Sequence, residues 1–128
     1  MWLGNNPAQE IKMPVVLKQP AKLDDQVHID IRIQAKLNVS AYMAQRQVTG
    51  YLVDNVSDHL SGETPDLVVD GERLLWRVPV VLYLTSRGKV GQVGAIDIDA
   101  QTGQLQITPA LINEIENRAR QVASSPTP

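Results

Sequence analysis

Few side chains in this sequence have the types and spacing that chemistry requires. Its two histidines, His28 and His59, are far apart, and neither belongs to a His-x-x-x-His or His-Glu pair. A metal site needs three or four convergent ligands, so both read as structural. His59 falls near a helix end, where an imidazolium gains from the dipole. Asp97 and Asp99 stand two apart on one strand and face the same side. Paired carboxylates do acid–base work when burial splits their pKa values. Here no neighbour is an evident partner for them, and Asp99 reads as a turn residue. Asp54 and Asp58, four apart on a helix, read as a solvated acidic face. The stretch Gly88-Lys89-Val90-Gly91-Gln92-Val93-Gly94 has neither the Gly-Lys-Ser/Thr ending nor the following helix of a phosphate loop. No serine sits in a nucleophile elbow. No catalytic, cofactor-binding or metal-ligating residue is therefore assigned, and the expectation is a protein that is not an enzyme and carries no cofactor.

Composition narrows the classes further. The chain has 128 residues, a length that favours one domain. Twelve Lys and Arg against fourteen Asp and Glu give a net charge of -2. That argues against a nucleic-acid partner, because phosphate neutralisation needs a basic surplus. With no cysteine, disulfides, thiolate metal sites and a Cys nucleophile are excluded. There is no Phe, and the aromatics are Trp2, Tyr42, Tyr51, Trp76 and Tyr83, so the core must come from Val, Ile, Leu and Ala. The sequence does not start with a basic segment followed by an apolar run, and no apolar stretch approaches the roughly 20 residues that cross a bilayer. The expectation is a cytoplasmic protein with no membrane partner.

The elements that must position these residues follow from periodicity. Residues 1–24 contain Pro7, Pro14 and Pro20 and read as an extended arm. Within it, Met13 to Leu17 is apolar enough to dock on its own domain or a neighbouring subunit. Residues 25–123 read as a single α+β domain, and 124–128 as a disordered tail. From Val27 to Leu37 strict alternation predicts a half-buried strand. Ser40 caps a helix over Ala41 to Leu60, with Gly62 just past its end. Gly50 in its interior costs about 1 kcal/mol relative to Ala, and close approach to a sheet is one reason to keep it. A meander follows. Leu67 to Val69 leads to a turn at Asp70-Gly71, and Leu74 to Leu84 is the longest strand. A Thr85–Lys89 loop places Gly88 at the left-handed position. Val90 to Asp99 returns, and Ala100 to Gly103 turns into Leu105 to Thr108. Thr108 and Pro109 open a second helix striped with Leu111, Ile112, Ile115, Ala119 and Val122. Glu114–Arg118 and Glu116–Arg120 are favourably spaced on it. The expected fold is α+β: a long helix packed on a curved antiparallel sheet in β-α-β-β-β-β order, plus a C-terminal helix.

The segment from Val90 to Leu105 is similar to the closing hairpin of PepSY-type domains, in which a strand ends in an acidic residue, a Thr-Gly turn follows and a brief strand closes the sheet. Asp99, Thr102 and Gly103 occupy those positions here. The helix-on-sheet order looks cystatin-like. The strand Trp76-Arg77-Val78-Pro79-Val80 also resembles one in a group of short bacterial proteins of unassigned role, with cyanobacteria as the suggested source. The resemblance covers at most residues 40–108. It implies the fold, and a PepSY-type kinship implies association with peptidase inhibition.

The face of the sheet turned from the helix carries Leu75, Arg77, Pro79, Val81 and Tyr83, partly apolar on a strand that is also apolar on its other face. An apolar sheet face marks a contact surface. The candidate surface is Arg77, Pro79, Val81, Tyr83, Val93 and, from the arm, Trp2. Pro79 cannot donate to a ladder and implies an edge, a bulge or a locally open position. The leading expectation is a non-enzymatic interaction or regulatory module that binds a protein partner or its own copies as a homo-oligomer. One alternative is a small-molecule-binding or enzymatic cystatin-like domain with a pocket between helix and sheet, where Arg77, Tyr83, Asp97 and His28 would converge. A further alternative is an antitoxin or peptidase-inhibitor-like protein.

Overall fold

The computed structural model describes residues 15–17 and 34–125. Trp2, His28, residues 27–33 of the strand expected from Val27 to Leu37, most of the arm and the last three residues lie outside the described residues. In chain order the elements are β1 (Val15–Leu17), α1 (Ala41–Asn55), β2 (Leu60–Gly62), β3 (Asp66–Asp70), β4 (Arg73–Leu84), β5 (Gly88–Asp99), β6 (Leu105–Gln106) and α2 (Pro109–Ala123). The fold is α+β. β3 to β6 form the expected antiparallel meander in the order β3-β4-β5-β6, and β2 also pairs with β4. β1 adds to the free side of β3 in parallel, Val16 opposite Val68.

Both helices lie on one face of the sheet. Ala44, Val48 and Leu52 of α1 and Ile115 of α2 join Trp76, Val78, Val80, Leu82, Ile96 and Ile98 in a single buried cluster. Full burial of each such aliphatic side chain contributes about 1.5–3 kcal/mol. Two glycines set how closely the helices sit. A Cβ on Gly62 would come within 3.2 Å of the Gln45 carbonyl on α1 and 2.8 Å of Val78 on β4, and one on Gly94 within 2.7 Å of Ile115 on α2. The N-terminal approach to α1 is tied down by a buried bond: Trp76 Nε1 donates to the Val39 carbonyl at 2.7 Å. The amides of Asn38 and Val39 both donate to the Ala100 carbonyl.

Local signals place most boundaries. Ser40 accepts from the Met43 amide and Thr108 from the Leu111 amide, each as an N-cap. The turns at Gly71 and Gly88 form with positive φ, 62° and 71°. Three expectations are corrected. First, α1 ends at Asn55, not Leu60. Ser57 Oγ accepts from the His59 amide, a side-chain bond that competes with the helix. Leu60 to Gly62 instead pair with Leu82 to Val80. Second, residues 34–37 are not strand, and Ala35, which alternation would bury, is exposed. Third, neither Glu–Arg pair of α2 is among the ion pairs of the described residues, and Arg120 donates to Asn117.

Pro79 is explained by the ladder. β2 and β3 share one side of β4, β3 meeting Arg73 to Arg77 and β2 meeting Val80 to Leu82. The Pro79 carbonyl accepts from Glu63 in the link between them, at 2.9 Å. In an antiparallel ladder the N and C=O of one residue point to the same side. The nitrogen of Pro79 therefore faces the joint between two strands, where no partner asks for a proton.

Candidate functional site

The outer face of the sheet carries the residues that sequence singled out. Arg77 lies directly across the ladder from Asp97. Its Nε donates to Oδ1 at 2.9 Å and its Nη2 to Oδ2 at 3.0 Å, the bidentate geometry of a strong charge-assisted pair. Asp97 thus has a partner after all, one that neighbours in sequence could not reveal. At the other end of the same face, Glu63 accepts from the Tyr83 hydroxyl at 2.8 Å and from Lys89 Nζ at 2.8 Å. The bonds from Lys89 and Tyr83 hold the Glu63 carboxyl below its ordinary pKa, and the same bonds raise those of Tyr83 and Lys89. Arg77 and Tyr83 stand six residues apart on β4, about 20 Å at strand rise, so the two clusters are separate.

Between them the face is closed. Val68, Leu75 and Val81 are buried although they point away from the helices, and Pro79 is half-buried. Val93, expected on this face, sits in the core at 1% exposure. The cause is a bulge: Val80 pairs with Gly94 but Val81 with Gln92. The extra residue reverses the alternation that had placed Val93 beside Asp97. Of the expected contact residues, then, Arg77 and Tyr83 are engaged in side-chain pairs, and Val81 and Val93 are buried. Trp2 lies outside the described residues. Arg77, Tyr83 and Asp97 do not converge between helix and sheet; they lie on the face opposite the helices.

Asp99 does what a turn residue does. Its Oδ1 accepts from the amides of Gln101 and Thr102, each at 2.9 Å. Those two amides, Thr102 first, hold its carboxyl below the ordinary range. The turn is fastened to the start of α1 by Asn38 on the Gln101 carbonyl and Gln47 on that of Gly103. His59 approaches Asp58 at 3.6 Å, and both are exposed. Among the described residues no group of three His, Asp or Glu could hold a metal ion.

A different surface emerges on α1. Its inner flank is stitched to β2, where Gln45 Nε2 donates to the Gly62 carbonyl and the Gly62 amide donates to Thr49 Oγ1. These bonds satisfy the outward polar groups of Gly62, so a helix covers that sheet edge. Beside the seam an open cleft of about 350 Å³ lies between Tyr42, Arg46, Thr49 and Gly50 on the helix and Ser61 on β2. Tyr42, Met43 and Val53 are 65%, 55% and 48% exposed. The Arg46 guanidinium lies 5.7 Å from the centre of the Tyr42 ring and donates to its hydroxyl. Neither Arg46 nor Asp54 takes part in an ion pair among the described residues. Gly50 has nothing within 4 Å of where its Cβ would be, so close packing on the sheet is not why the helix carries it. This surface went unnoticed in the sequence, although Tyr42, Arg46, Gly50 and Asp54 recur every four residues, one row on a helix.

No protein-family model, curated protein or solved structure matches this chain. Among the described residues no helix is long and apolar enough to cross a membrane.

Proposed function

We propose that the chain is a non-enzymatic interaction module whose contact surface is the outward face of α1, not the outer face of the sheet. The observation that carries this reading is the exposure of Tyr42, Met43 and Val53 on one 15-residue helix. Large apolar side chains grouped on a surface favour a partner, and tyrosine and arginine are enriched among residues that anchor interfaces. The sheet's outer face offers less, because Arg77 and Asp97 neutralise one another, as do Lys89 and Glu63, and its central aliphatic residues are buried. A kinship with PepSY-like or cystatin-like domains belongs to the proposal at the level of architecture, a helix laid across an antiparallel sheet, and architecture does not fix function.

Photo-crosslinking compares the two faces. A photoreactive residue replaces Met43 on α1 in one version of the full chain, and Gln92 on the outer sheet face in another. Adducts, whether with a second copy or another protein, form from position 43 and not from position 92. Equal yields, or adducts from 92 alone, would overturn the reading.

A further inference from the structure

We infer that the partner of this face is a second copy of the chain, bound through an antiparallel α1–α1 contact centred on Gly50, with Arg46 of each copy facing Asp54 of the other. The inference rests on the reading of α1 as the contact surface and names what covers it.

Gly50 carries a stability cost that packing inside the domain does not explain. Glycine in a helix interior is unfavourable by about 1 kcal/mol relative to alanine, and at Gly50 a methyl group would touch nothing. The helix has therefore kept a gap on an exposed surface. Gaps of this kind let two helices cross closely, with ridges of residues spaced by four seated in the partner's grooves. Gly50 lies in such a ridge, Tyr42-Arg46-Gly50-Asp54, whose members other than Gly50 all have room and exposure to reach outward.

The charges in that ridge are arranged about Gly50. Arg46 is four residues before it and Asp54 four after, each about 6 Å from it along the axis. A two-fold axis through Gly50 exchanges the two positions, so the positive end of one helix meets the negative end of the other, twice. Self-complementarity of this kind is what a symmetric dimer requires of a single patch. An unrelated partner would need only one complementary charge pattern and would place no such constraint on the row. Among the described residues neither Arg46 nor Asp54 has an ion-pair partner, so forming the contact breaks no ion pair among them. Met43 and Val53, on either side of the ridge, supply apolar area, and the cleft beside Gly50 and Ser61 leaves room for incoming side chains.

Sedimentation velocity on the full chain over a concentration series tests this. The wild type is expected to shift from monomer to dimer with concentration. Arg46→Asp and Asp54→Arg each place like charges opposite one another and should weaken dimerisation about tenfold or more. An equimolar mixture of those two variants pairs opposite charges at both contacts and should form a heterodimer. Gly50→Gln should remain helical by circular dichroism, since glutamine is the better helix former, yet be monomeric. A wild type that stays monomeric throughout overturns the homodimer and leaves the α1 face open to another protein, which the crosslinking at position 43 reads separately. A dimer indifferent to Gly50→Gln, or a mixture of the charge variants that does not associate, also overturns it.

Discussion

The outer face of the sheet and the outward row of α1 share side-chain types, with arginine, carboxylate and tyrosine on each. On the sheet Arg77, Asp97, Glu63 and Tyr83 each have a specific partner. Arg77 is held by Asp97, and Tyr83 and Lys89 are held by Glu63. The backbone ladder fixes the first pair, because directly opposed residues on adjacent strands have their Cβ atoms about 5 Å apart. It also sets Tyr83 opposite Lys89, where Glu63 reaches both from the link between β2 and β3. On α1, Arg46 and Asp54 lie eight residues apart, too far to pair along one helix, with a glycine between them. The lesson is that a charged residue's role depends on whether the element beneath it supplies a neighbour. A sheet supplies one across the ladder, whereas an outer helix face supplies one only at a spacing of three or four.

The contrast can be broken most forcefully at Val81. If the outer sheet face is structural, Val81→Asp buries an unpaired carboxylate and should cost several kcal/mol or prevent folding, measured by urea denaturation. Near-native stability for that variant would show the face to be open after all. Gly62→Ala comes next, at about 1–3 kcal/mol, because its methyl group strikes Val78 and strains the seam that Gln45 and Thr49 make with β2. Asp97→Ala leaves Arg77 without its carboxylate and should lower stability by about 1 kcal/mol, a partly exposed pair being worth less than a buried one. On the α1 side the sign reverses. Gly50→Ala should raise stability by about 1 kcal/mol, since nothing stands in the way of the methyl group. A Gly50→Ala destabilised at a concentration where both proteins are monomeric would mean that the gap serves the fold and not the surface.

The smallest effect is spectroscopic. Glu63→Gln should return the Tyr83 phenol toward its ordinary pKa, followed by ultraviolet difference titration, because the bond to Glu63 is the leading cause of its rise. The signs for this cluster oppose one another. Glu63 has a lowered pKa, so its contribution is present above the ordinary carboxylate range and fades as pH falls through the lowered value. Lys89 and Tyr83 have raised values, so theirs is present below their ordinary range and is lost as pH rises through the raised ones. The cluster is intact between those limits and opens at both extremes.

How far the sequence could be read follows from the range of the forces involved. Ser40 and Thr108 mark helix starts through bonds spanning three residues, and Gly71 and Gly88 mark turns through their own φ angles, so all four were legible. The end of α1 was not. Val56 and Leu60 continue an apolar stripe, but Leu60 pairs with Leu82, which lies far along the chain. The place of Val93 was hidden for a related reason, since a bulge belongs to two strands at once and leaves no period in either. Asp97 lacked an evident partner only while its neighbours were sought along the chain. The α1 row was written plainly at spacings of four, but an exposed surface has no requirement inside the domain that would draw attention to it.

Pro79 carries one more consequence. A strand paired along both sides, as β4 is, could in principle slide by two residues against its neighbours and keep its inward-facing side chains inward. The proline forbids that slip. Its nitrogen is harmless only at the joint between β2 and β3. Moved two residues either way, it would stand opposite a β2 or β3 carbonyl that now receives a proton, and each such lost bond leaves a buried acceptor unsatisfied at about 1–3 kcal/mol. The ring therefore acts as an index mark, setting the alignment of the longest strand against β2 and β3 and with it the meeting of Tyr83 with Glu63.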